Sequence, residues 1–230
     1  MKKLFLVLVF PFIVHAETYV HAGGNNSVVH LVAAQVLQKA YTRSNLKMKA
    51  IYIPLEKALE LSNSGQIDGE LARIEKISKT YKNLRIVPVG IINVEAIAFS
   101  KFNNVRINEW SDLRDYKITV VNGTKFIETA TIGYKRKIVK TFEEAFAQLI
   151  NDETDIVVIQ KLAGIKMLHE RRFKDVHAIS SSLQTLKLYH FVHKKNAHLI
   201  PILTPVLKEM EKSGEISYLK QAYLRSLTPH

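Results

Sequence analysis

The chain has 230 residues, 47% of them hydrophobic and 23% charged, with a formal net charge of +12 and no cysteine. That length holds one large domain or two small ones, each with its own core. The lack of cysteine excludes a disulfide, a Cys-ligated metal and a lipid on an N-terminal Cys, so an exported lipoprotein is ruled out.

Lys2 and Lys3 precede an apolar run of about eleven residues from Leu4 to Val14, and Val14 and Ala16 place small residues just before Glu17. This order predicts a secretory signal peptide over residues 1–16, cut between Ala16 and Glu17. A membrane anchor needs about 20 apolar residues, which this run lacks. The mature chain is therefore expected in the periplasm. Removing Lys2 and Lys3 lowers the formal charge from +12 to +10. Basic chains often bind nucleic acid, but export argues against that partner. Lys135, Arg136, Lys137 and Lys140 also lack interleaved aromatic residues. A positive field that draws in anionic solutes or touches a membrane surface fits better, with plain solvated surface charge as the alternative.

Strand and helix patterns then alternate. Thr18 to Ala22 reads as a strand, followed by the turn Gly24-Asn25-Asn26-Ser27 and a helix with Val28, Leu31, Val32 and Val36 on one face. Asn26 or Ser27 is the expected N-cap. Ile51–Ile53 is a strand, Leu55–Ser62 a helix ended by Gly65, and Ile67–Ala72, Leu84–Val89 and Val94–Ser100 are strands. After a polar break comes a second series: Lys117–Val121, a helix from Phe126, Ile138-Val139, a helix from Phe142 opened by the capping box Thr141–Glu144, and Asp155–Ile159. Thr185–His193 is a further strand. Two helices follow, Leu199–Met210 closed by Gly214, and one carrying Ile216, Leu219, Tyr223 and Leu224. Such alternation implies an α/β fold with mainly parallel sheets flanked by helices.

One internal correspondence organises the chain. ALELSNSGQIDGELAR, residues 58–73, and FAQLINDETDIVVIQ, residues 146–160, each read as a helix, a polar turn and an Asp that opens an apolar strand. Aligned on Asp68 and Asp155, the strands end at Arg73 and Gln160. Ligands of open α/β sheets bind beyond the carboxyl ends of the strands, so both side chains are expected in a cleft between two facing lobes.

The pieces GQIDGELARI, VEAIAFSK, DLRDYKITVVNGTK, DIVVIQ and YHFVHKKNAHLIPILTPVLKEMEKSGEI, in this order, resemble the type II periplasmic solute-binding proteins, in particular the polar amino-acid receptors of ABC transporters. The resemblance implies a two-lobed fold joined by two hinge strands, here Val94–Lys101 and Leu186–Lys194. Lobe 1 would comprise residues 17–98 with 192–230, and lobe 2 residues 99–191. It also implies capture of a small solute by hinge closure, for an ABC permease or a membrane sensor. Amino-acid receptors of this family carry an Asp at the end of the lobe-2 strand and an Arg about a dozen residues after the lobe-1 Asp. Here Gln160 stands in the first place, and SKTYKN offers no Arg in the second. Both departures point to an anionic ligand with no obligatory cation.

The candidate ligand-binding residues follow. Arg73 can grip a carboxylate or phosphate through paired hydrogen bonds, unless it pairs with Glu70 or Glu75 on the surface. Gly123, Thr124 and Lys125 follow a strand and open a helix, where backbone N–H groups favour anions, although Asn-Gly is also an ordinary turn. Asn25, Asn26 and Ser27 form the analogous lobe-1 turn, and Gln160 can donate and accept. No cofactor or metal is expected. His190 and His193 point to opposite faces of a strand, and the His169 segment lacks a second His for a zinc motif. Tyr41, Trp110 and Phe142 read as core residues. A monomeric, non-enzymatic binding protein is the first reading. Two rivals stand beside it: a dehydratase-like enzyme using Glu70, Glu75 or Glu95, and a sensor-partner module without a solute.

Overall fold

A computed structural model describes residues 18–25, 27–169, 173 and 175–227; the expected signal peptide and Asn26 lie outside the described residues. The first half runs β1 (Thr18–Gly24), α1 (Val28–Arg43), β2 (Lys47–Ile53), α2 (Leu55–Ser64) and β3 (Gly69–Ile74). A long strand β4 (Leu84–Ser100) leads to β5 (Ile118–Val121), α3 (Lys125–Ala130), β6 (Arg136–Val139), α4 (Phe142–Ile150) and β7 (Ile156–Gln160). Then come α5 (Lys161–His169), β8 (His177–Ala178), β9 (Gln184–His193), α6 (Leu199–Lys212) and α7 (Glu215–Leu227).

The strands form one sheet in the order β2-β1-β3-β9-β4-β7-β5-β6, with β8 beside β4. Each end is a parallel triplet, β2-β1-β3 and β6-β5-β7, wound in the same order. Between them β4 and β9 lie antiparallel to each other and to their outer neighbours. The internal correspondence in the sequence is therefore a repeated β-α-β-α-β unit. Asp68 and Asp155 also do the same work in each unit. Asp68 Oδ2 accepts from Val20 N at 2.8 Å and Asp155 Oδ2 from Lys117 N at 2.8 Å, so each aspartate holds the start of the neighbouring parallel strand.

Local signals fix the ends of the elements. Ser27 caps α1, Gly65 ends α2 at a φ of 80°, and the Thr141 hydroxyl accepts from Glu144 N at 3.0 Å. The return arm of that capping box lands one residue early, because Glu144 Oε2 accepts from Lys140 N. Two expected strands, Leu84–Val89 and Val94–Ser100, are one strand. β9 pairs with it from Leu84 to Ala96, β7 and β8 continue the pairing to Ser100, and register shifts flanking Gly90 absorb the irregularity around Pro88. The helix α5 carried no sequence signal of its own. Its Gly164 lies on Phe99, where a Cβ would stand 2.1 Å from the ring.

Two main cores result. The larger joins both halves, from Val32, Leu37 and Leu71 to Ile118, Val120 and Leu203; the second packs Phe99, Phe146, Leu149 and Val157 in the distal half. The aspartate roles are testable by urea unfolding. A charge-assisted hydrogen bond is worth about 1.5–3 kcal/mol, so Asp155→Ala should lose about that much. Asp68→Ala should lose more, because Asp68 also accepts from Asn196 Nδ2 and pairs with Lys195.

Candidate functional site

The parallel strands β1, β3, β5 and β7 direct their carboxyl ends at one another across the molecule, and a cavity opens where they meet. His30, Leu55 and Arg73 line it from the first half, and Gly123, Thr124, Lys125 and Gln160 from the second. Its volume is about 40 Å³, room for a water molecule or two and far below the roughly 300–1,000 Å³ of a small-molecule site.

The walls are largely satisfied by the protein itself. Arg73 is 7% exposed, donates from Nε to Glu70 Oε2 at 2.7 Å and from its NH2 nitrogen to Leu55 O at 2.7 Å. Glu70 is fully buried and also accepts from Ser62 Oγ at 3.1 Å. Burial pushes its carboxyl above the ordinary range, and the Arg73 guanidinium opposes that shift. Lys125 reaches across the cleft to Glu56 in the first turn of α2, Nζ to Oε2 at 2.6 Å. Partial burial pulls the Lys125 ammonium down, but Glu56 and Glu128 hold it above the ordinary lysine range. Gly123, at a φ of 85°, lies directly under Leu55. A Cβ there would stand 2.4 Å from Leu55 Cβ, so glycine is what lets the halves meet.

Two buried polar atoms in the second-half wall lack a protein partner, Thr124 Oγ1 and Gln160 Oε1. Their residues are 3% and 7% exposed. Native buried polar atoms rarely go unpaired, so this wall has hydrogen-bonding capacity that the protein itself leaves unused. Its backbone offers less than the sequence implied. α3 has only six residues, and the Asn122 and Thr124 amides already donate to Val139 O and Val121 O.

Five of the residues picked from the sequence thus surround one cavity: Arg73, Gly123, Thr124, Lys125 and Gln160. Asn25 and Ser27 do not line it. Asn25 is exposed and donates its N–H to Ile53 O, and Ser27 caps α1 by accepting from His30 N. Asn26 is outside the described residues. Sequence reasoning missed His30, Leu55 and Glu56. His30 accepts from Gly24 N at Nδ1 and so carries its proton on Nε2, which donates to Ala72 O at 2.9 Å. Glu56 follows Pro54-Leu55 without any local pattern that announces a cross-cleft partner. Of the carboxylates an enzyme reading needs, Glu70 is held by Arg73, Glu95 pairs with Lys161 at 2.9 Å, and Glu75 is exposed.

Behind Glu70 runs a second buried polar chain. His190 Nδ1 donates to Glu70 O at 2.8 Å, so its Nε2 accepts from the Tyr41 hydroxyl at 3.0 Å. The Tyr41 oxygen then accepts from His21 Nε2 at 2.8 Å. Tyr41 is a core residue as expected, but its hydroxyl orders two neutral histidines. Burial lowers His190 to about 4, burial and Arg73 lower His30 to about 3, and burial with His190 lowers His21. All three favour the fold when neutral. Their stabilisation is complete above the unfolded histidine value of about 6.5 and is lost as pH falls below it. His190 alone should remove about 2 kcal/mol between pH 7 and 5, and His190→Gln should flatten the pH dependence of the urea midpoint over that range.

No family model matches the chain. An uncharacterised protein of Shewanella oneidensis is 23% identical over 190 residues, spanning 77% of this chain and 70% of that one. Among solved structures, a histidine kinase sensor domain with similarity to periplasmic binding proteins superposes with a TM-score of 0.78 at 16% identity, covering 90% of this chain and 96% of that one. A mutant of ArgBP from T. maritima gives 0.75 at 16% identity, covering 90% and 95%. The substrate binding protein of an amino acid ABC transporter gives 0.74 at 17% identity, covering 91% and 100%. The chain has the two-lobed fold of the type II periplasmic binding proteins.

Proposed function

We propose that this protein is an exported, monomeric solute-binding protein that closes on a small anionic metabolite and presents the closed form to an ABC importer or a membrane sensor. Residues 17–98 with 192–230 form one lobe and residues 99–191 the other, with β4 and β9 as the hinge. The observation that carries this reading is the second-half wall, where the unpartnered Thr124 Oγ1 and Gln160 Oε1 stand beside Lys125. A ligand oxygen that replaces Glu56 on Lys125 satisfies the same ammonium and adds bonds to Thr124 and Gln160. Such a ligand binds the closed form more tightly than the open one and shifts the population toward it.

Capture rather than turnover fits the carboxylates, since Glu70 and Glu95 are each tied to a cation. A second reading, a sensor module that closes without a solute, draws on the Lys125–Glu56 pair and the cavity of about 40 Å³.

Thermal shift against carboxylate, phosphate and amino-acid libraries separates the two. A ligand at a hundred times its Kd adds about 2.7 kcal/mol, which raises the Tm of a chain this size by about 5–10 °C. Lys125→Ala should abolish that shift and Glu56→Gln should enlarge it. An anionic ligand that binds Lys125→Ala at full affinity would overturn the assigned site. Arg73 is a poorer probe, because its removal leaves Glu70 buried and unpaired.

A further inference from the structure

A second, much larger space adjoins the inner cavity. It is a groove of about 880 Å³ that shares Ile74, Ile77, Lys125 and Phe126 with the cavity and extends outward along β9. That volume falls within the range of small-molecule sites, about 300–1,000 Å³. Its lining is rich in rings: Tyr81 and Phe126 face it from the two halves, Tyr189 from β9, and Trp110 from the second half. These rings are held by packing. Phe126 and Trp110 rest on the larger core, and Tyr81 and Tyr189 on a small cluster around Leu59, Ile77 and Phe191. A rigid aromatic wall favours a flat apolar partner, because stacked and edge-to-face ring contacts add to the burial of apolar area.

The charge in the groove has one dominant sign. Among the described residues Lys76, Lys125 and Lys187 line it with one acid, Glu75, while Lys187 also lies 3.6 Å from Glu211 outside the lining. The stem of Lys187 crosses β4 at Gly90, where a Cβ would stand 1.9 Å from Lys187 Cδ. Gly90 therefore makes the place for that lysine. The Tyr81 hydroxyl donates to Glu56 Oε1 at 3.3 Å, so the carboxylate that holds Lys125 also contacts the groove wall.

We propose that this groove holds the body of the ligand, and that the ligand is a ring-bearing carboxylate rather than a small polar amino acid. The ring lies among Trp110, Tyr81, Phe126 and Tyr189, and the carboxylate meets the lysines, displacing Glu56 from Lys125. The inference rests on the capture reading above and narrows its ligand class.

Trp110 is the chain's one tryptophan, so its emission reports on this groove alone. The purified exported protein is titrated with phenylacetate and phenyllactate, with acetate, glutamate and benzylamine as comparators, following Trp110 fluorescence and Tm together. The expected result is a saturable change in Trp110 emission with the phenyl carboxylates and a rise in Tm. Acetate and benzylamine should bind at least about tenfold more weakly, and the Lys76→Gln, Lys187→Gln double variant should weaken phenyl-carboxylate binding about tenfold with its ligand-free Tm unchanged. Benzylamine binding as well as phenylacetate overturns the proposal. Glutamate raising Tm in a Lys125-dependent way, with the phenyl carboxylates silent, also overturns it while leaving the capture function standing. Silence from every compound, and from the wider libraries, defeats both.

Discussion

The buried pair between Glu70 and Arg73 is the contact on which the rest of the cleft hangs. A carboxylate with no solvent exposure needs a cation, and Arg73, three residues on along β3, supplies it. Having turned inward, the guanidinium binds Leu55 O and fixes the start of α2. Leu55 then sits over Gly123, and its neighbour Glu56 meets Lys125. On the other side the Glu70 carbonyl anchors His190, and through it Tyr41 and His21. Glu70 and Arg73 thus tie β9, the first turn of α2 and, through Glu56, Lys125 of the second half into a single polar framework.

Magnitudes decide which part of that framework can yield to a ligand. Breaking a buried pair by removing one partner costs about 3–5 kcal/mol, so Glu70 and Arg73 stay together. Lys125 and Glu56 are each more than a third exposed, and such a pair is worth at most about 1 kcal/mol. A solute carboxylate can exchange with Glu56 at little cost. On the proposed reading the cleft works by anion exchange, the protein's own Glu56 holding Lys125 until a solute acid replaces it. This also explains how a cavity of about 40 Å³ can belong to a binding protein. The halves meet on Leu55 and Gly123, and the proposed capture requires β4 and β9 to flex so that those residues part.

Sequence legibility divided along the range of the interactions. The parallel triplets, the Asp68 and Asp155 units and the approach of Arg73 to Gln160 all follow from period, caps and a repeated helix-turn-strand pattern. Gly65, Ser27 and Thr141 mark their helix ends through contacts within a few residues. The single strand β4 was not legible, because Pro88 and Gly90 interrupt the local pattern and only pairing with β9 restores it. Glu56 was missed for the same reason, since its partner Lys125 lies in the other lobe. Lys187 and Gly90, which shape the outer groove, are separated by most of the second half.

By itself, then, the sequence determined the α/β class, the duplicated unit and the residues at the strand ends, since these depend on periodicity and on turns a few residues long. Only the tertiary structure decided how the charges are shared. Which acid neutralises Arg73, which one holds Lys125, and which histidines stay neutral depend on burial and on distances of about 3 Å between segments far apart in the chain, where desolvation and geometry set the outcome.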